Sequence, residues 1–174
     1  MNANVNVTHR DATIRGLAAA APVAIWLGLL GPAWMYSPAD PANNIPAADL
    51  NFAAMAATFQ SSPSSLQAAF FSWLAWVLAV LATVLAIAAL RSSSRLVGGL
   101  CLAVGLIGFV ISILAVKGAS TWSVLFAGIE NVRLGAVLLL LGLLSLAGAG
   151  LRLLAGNSQV ANNPITPTLA PSAS

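Results

Sequence analysis

The sequence predicts an all-α integral membrane protein. The expected form is a four-helix bundle with both termini in the cytoplasm and a short amphipathic helix in the first extracytoplasmic loop. Three observations carry this. Of 174 residues, 59% are hydrophobic and only 6% are charged, whereas a soluble domain carries about 25% charged residues to face water. Four apolar stretches reach the roughly 20 residues that a helix needs to cross a bilayer. All the arginines but Arg133 flank those stretches at the alternate ends that the positive-inside rule assigns to the cytoplasm, and the outer loop from Lys117 to Arg133, with two basic residues offset in part by Glu130, fits it least well.

Residues 1–15 form a cytoplasmic segment carrying Arg10 and Arg15. Span one, residues 16–36, reads "GLAAAAPVAIWLGLLGPAWMY". Its basic start resembles a signal peptide, but its apolar core exceeds the usual 7–15 residues of one, and no small-x-small cleavage site precedes the loop. A retained anchor is therefore expected. Pro32 lacks an amide proton and crowds the carbonyl of Gly28, which predicts a kink in the outer third of the span. Pro22 is a second break, and such breaks mark substrate sites in some transporters.

The outer loop, residues 37–67, contains no basic residue. "SPADPANNIP" is turn-rich, and "AADLNFAAMAATFQ" then reads as a helix, with Phe52, Met55 and Phe59 at near-helical spacing. Pro46 suits its first turn, and Asp49 complements its dipole. This helix either lies on the membrane or roofs the bundle, or it offers a docking surface to a partner. Span two covers residues 68–90. The tight "RSSSR" turn, with Arg91 and Arg95, joins it to span three at residues 96–116. A loop from Lys117 to Arg133 leads to span four at residues 134–155, where Arg152 can snorkel to the interface. Residues 16–156 thus make the membrane domain, and the polar, proline-containing tail 157–174 is expected to be a disordered cytoplasmic segment. Trp34, Tyr36, Trp73, Trp76 and Trp122 fall toward the outer side, where aromatic belts lie.

Lipid provides no hydrophobic drive for helices to associate, so small residues that let backbones approach become the packing signal. They recur every seven residues: Ala68, Ala75, Ala82 and Ala89 in span two, Gly98, Gly105 and Ser112 in span three, and Gly135, Gly142 and Ala149 in span four. Period seven is the left-handed coiled-coil repeat, so these residues are expected at helix contacts.

The chemical inventory is short. The chain has one histidine, His9, outside every span, and one cysteine, Cys101, inside span three. An internal disulfide is excluded, and the usual ligand sets for haem, zinc or an iron–sulfur cluster are missing, so no cofactor or metal is expected. Ser72, Ser112 and Ser145 lie in spans without an acid or histidine to activate them, and Cys101 in apolar surroundings reads as a small core residue. The basic residues form no cluster, so no nucleic acid is expected as a partner. Glu130 and Arg133, at the mouth of span four, lie three residues apart and can pair on one helix face. They read either as a polar first turn or as a contact to a partner subunit or lipid headgroup.

The pieces "RGLAAAAPVAIWLGLLGPAWMY", "RSSSRLVGGLCLAVGLIG" and "VRLGAVLLLLGLLSLAG" together resemble, in architecture, uncharacterised four-span inner-membrane proteins of actinobacterial type. The resemblance covers residues 15–155 and implies no activity and no functional residue. Heavy alanine use and arginine in preference to lysine also point to a bacterial source. The sequence thus leads to a non-catalytic protein of the bacterial inner membrane, an accessory, scaffold or assembly subunit of a larger respiratory or cell-envelope complex. Membrane lipid and other membrane subunits are its expected partners. The alternative is a small homo-oligomeric transporter or channel.

Overall fold

Four long apolar helices dominate a computed structural model, which describes residues 3–60 and 64–161, and the side chains of residues 12–60 and 64–155. Helix α1 runs over Ala3–Leu30. A short antiparallel pair follows, β1 (Met35–Ser37) with β2 (Ala48–Leu50), with Tyr36 opposite Asp49. Helix α2 covers Phe52–Phe59. Helix α3 (Ser65–Ala69), a π turn (Phe70–Leu74) and α4 (Ala75–Arg91) join into one continuous apolar rod, Ser65–Arg91. Helix α5 spans Arg95–Lys117, α6 is a short helix at Trp122–Ala127, and α7 runs over Leu134–Ala161. Among the described residues, four segments are long and apolar enough to cross a membrane: Ala12–Leu30, Ser65–Arg91, Arg95–Lys117 and Leu134–Ala155. This is the architecture of a multi-pass membrane protein.

Span one is shorter than the sequence suggested. The helix ends at Leu30, and Met35 and Tyr36 lie in a strand rather than in the span. Pro32 therefore ends the helix instead of kinking it, because its ring disfavours helical geometry at Gly31 and it offers no amide proton to the Gly28 carbonyl. That carbonyl finds a different donor, the indole N–H of Trp34, at 2.5 Å. The loop helix also starts later than expected. Asn51 caps it by accepting from the amide of Ala54 at 2.9 Å, while Asp49 belongs to β2 and Pro46 precedes the strand. Strand pairing with Met35–Ser37 takes the residues that would have formed the first turn. At the other terminus α7 continues to Ala161, past the boundary at 157 where the tail was expected to begin; residues 162–174 of that tail lie outside the described residues.

Helix α7 packs against α1 and α5, and α4 packs against the same two helices. Both α7 contacts rest on glycine. An added Cβ at Gly142 would stand 2.8 Å from the Ala21 carbonyl of α1, and one at Gly28 would stand 2.7 Å from the Gly135 carbonyl. Moving seven residues down α1, from 28 to 21, moves seven up α7, from 135 to 142. The α5 contact has the same step: Gly105 meets Leu143 and Ala147, and Gly98 meets Gly150 and Leu154. Ala75, Ala82 and Ala89 lie in the core face of α4 together with Ala79 and Ala86, and Ala149 of α7 is fully buried. Among the polar links between helices, Trp26 Nε1 donates to Thr83 Oγ1 at 3.0 Å, joining α1 to α4, while Ser112 donates to its own helix at the Gly108 carbonyl.

Candidate functional site

The antiparallel run of the helices brings the C-terminal ends of α1 and α5 and the N-terminal ends of α3 and α7 to one side, which the loops close as a cap. Its centre is Trp34, 2% exposed. The ring packs edge-on to Phe52 at 5.1 Å and to Phe71 at 5.7 Å, with Phe70 at 6.2 Å. The π turn helps here, since the amide of Ala75 reaches back five residues to the Phe70 carbonyl and the neighbouring Phe70 and Phe71 are both buried. Backbone bonds tie the same residue to its surroundings: the Trp34 amide donates to Leu50, its carbonyl accepts from Arg133, and Ala33 accepts from Gly135. Trp34 therefore does not sit in an interfacial belt. Trp73 and Trp122, 56% and 48% exposed, do present their rings outward.

Phe52 and Met55 turn inward and are buried, and Phe59 packs on Phe71 with ring centroids 5.3 Å apart. The apolar face of α2 is thus turned toward the bundle, with Phe52 and Met55 in the core and Phe59 partly buried against it. Glu130 and Arg133 do not pair through their side chains. Glu130 lies in a 3-10 turn, Ile129–Asn131, and lends Arg133 only its backbone carbonyl, at 3.0 Å. The carboxylate partner of Arg133 is Asp49, at 3.4 Å, and its guanidinium lies over the Tyr36 ring at 4.9 Å. This contact bridges 84 positions of sequence, so no local pattern could announce it. Asp40 caps the turn at Pro41–Asn43. The Asn43 side chain holds its carboxyl below the usual carboxylate range; burial opposes this, and the Asn43 and Ala42 amides add to it.

Residues 117–133, expected as a loop, contain α6 and the 3-10 turn. The signal was present in "TWSVLFAGIE", whose apolar residues are too dense for a solvated connection. Trp122, Val124, Phe126 and Ile129 are largely exposed. Between α5, α6 and α7 lies an apolar cavity of about 550 Å³, bounded by Ser112, Val116, Trp122, Phe126, Ala136 and Leu140. A second cavity of about 670 Å³, with Lys117, Gln67, Ser120 and Asn131 in its wall, adjoins it. Gly118 lies between Lys117 and Ala119, which both line this second space. Its φ of +54° is disfavoured for side-chain-bearing residues, and a Cβ there would meet the Gln67 carboxamide at 2.6 Å.

Among the described residues no group of three His, Cys, Asp or Glu is arranged to hold a metal ion. Comparison with protein-family models, curated proteins and solved structures found no match to this chain.

Proposed function

We propose that this chain is a non-catalytic protein of the bacterial inner membrane, a four-helix bundle with both termini in the cytoplasm, that serves as an accessory or assembly subunit of a larger membrane complex. The observation that carries the reading is the character of the interior. Among the described residues the buried polar side chains are Gln67 and Ser112, and the Ser112 hydroxyl is taken by a backbone carbonyl. A solute path needs polar groups along its length, whereas a scaffold needs close, rigid packing. The glycine contacts along α7 supply that packing.

The orientation follows from charge. Arg15, Arg91, Arg95 and Arg152 belong to the helix ends opposite the cap, while in the cap Asp40, Asp49 and Glu130 outnumber Lys117 and Arg133. Arginine-rich flanks stay in the cytoplasm, which puts the cap outside. There the exposed Val124, Phe126 and Ile129 form an apolar edge open to the bilayer. A respiratory or cell-envelope assembly is a natural host.

The test is the native mass of the protein, solubilised gently from its own membranes and read with mass spectrometry of what accompanies it. The proposal expects a stoichiometric set of larger subunits. A lone chain or a homo-oligomer would overturn it and bring the transport reading forward.

A further inference from the structure

We propose that the cleft between α5, α6 and α7 binds one anionic glycerophospholipid, with an acyl chain in the apolar cavity and the phosphate headgroup at Lys117. The apolar cavity, about 550 Å³, lies within the range of sites that hold small ligands. Its polar side-chain groups are the Ser112 hydroxyl, which donates to the Gly108 carbonyl at 2.8 Å, and the indole N–H groups of Trp34, which donates to Gly28, and Trp122. Water needs two to four polar partners to stay in such a space, so hydrocarbon is the occupant that fits. The adjoining cavity of about 670 Å³ shares Met35, Val116, Leu125 and Val132 with the first. Among the described residues, Lys117 is the one charged residue in its lining, and no carboxylate lines it.

The seam between the two spaces is marked by one contact. Trp122 lines the apolar cavity and Lys117 lines the polar one, and the Lys117 ammonium lies 5.4 Å from the Trp122 ring centroid. A cation–π contact of this kind holds the charge at the seam, where the phosphate of a chain-bound lipid would arrive. A lipid with its own headgroup cation gains less at a lone lysine, and free phosphate leaves the apolar cavity empty. The site needs only that the helices sit in a bilayer, and it stands whether or not the chain has a protein partner.

The test is native mass spectrometry of the full chain in detergent with added dioleoyl phosphatidylglycerol or dioleoyl phosphatidylcholine. We expect one retained lipid per chain, with the anionic lipid favoured about fivefold, the ratio that one lysine near an anionic headgroup gives. Lys117→Gln should bring that ratio to about one while a lipid is still retained. Val137→Trp, at a cavity wall position that is 40% exposed, should reduce retention of both lipids, with circular dichroism confirming the helices. If that variant fails to fold, Ile129→Trp reads the same point from a wall residue that is 66% exposed. Equal retention of the two lipids by the unaltered chain would overturn the proposal, as would an unchanged ratio in Lys117→Gln. So would undiminished retention in the tryptophan variants, displacement of the lipid by inorganic phosphate, or a second copy of the chain seated in place of the lipid.

Discussion

At the scale of single residues, two side chains at the cap make contacts of very different weight. Trp34 is buried among three aromatic rings and supplies the hydrogen bond that Pro32 denies to Gly28. Removing it leaves both a large void and an orphaned carbonyl. Trp34→Ala should therefore destabilise the fold by about 3–5 kcal/mol, read as a lower unfolding midpoint in a denaturing-detergent titration. Arg133 makes an ion pair with Asp49 in which both partners are substantially exposed, and such pairs contribute about 0–1 kcal/mol. Arg133→Ala should shift the same midpoint only slightly; a loss equal to that of Trp34→Ala would show that this weighting is wrong. The two residues were also unequally visible in the sequence. Arg133 stood out because charge is rare in this chain, but its partner lies far away and only folding reveals it. Trp34 looked like one of several interfacial aromatics, because nothing local shows that the chain folds back over it.

At the scale of elements, glycine position separates helix faces. Gly105 lies where a Cβ would meet α7 backbone at 2.7 Å, and Gly142 where it would meet Ile25 at 2.6 Å, whereas Gly99 has nothing within 4 Å. Leucine at 105 or 142 must push whole helices apart, an overpacking cost of roughly 1–3 kcal/mol or more. Leucine at 99 should be tolerated. Thermal unfolding in mild detergent checks this: Gly105→Leu and Gly142→Leu should melt lower than the parent, and Gly99→Leu at the same temperature. Equal melting of all three would remove the packing account. The period-seven stripes of spans three and four were legible because small residues in lipid have few other uses. Gly28 and Gly150, which complete the same contacts, were missed because they fall outside those stripes. Helix α6 was missed for another reason: six residues are too few for a periodicity to register, and its length is set by the cap it closes.

At the scale of the whole molecule, the four spans were readable from composition and length alone, since bilayer thickness fixes how long an apolar helix must be. The cap and its cavities were not, because they arise from contacts between residues 33–36, 48–50 and 132–135 that only antiparallel helices bring together. The proposed orientation puts the cap outside the membrane and the "RSSSR" turn in the cytoplasm. Cysteine labelling in intact cells tests that directly. Cys101 is buried, so Cys101→Ala gives a silent background for Ser120→Cys, in the cap, and Ser93→Cys, in the turn. A membrane-impermeant maleimide should label position 120 in intact cells and position 93 only after the membrane is opened. Labelling of both positions from outside, or of position 93 alone, would contradict the account.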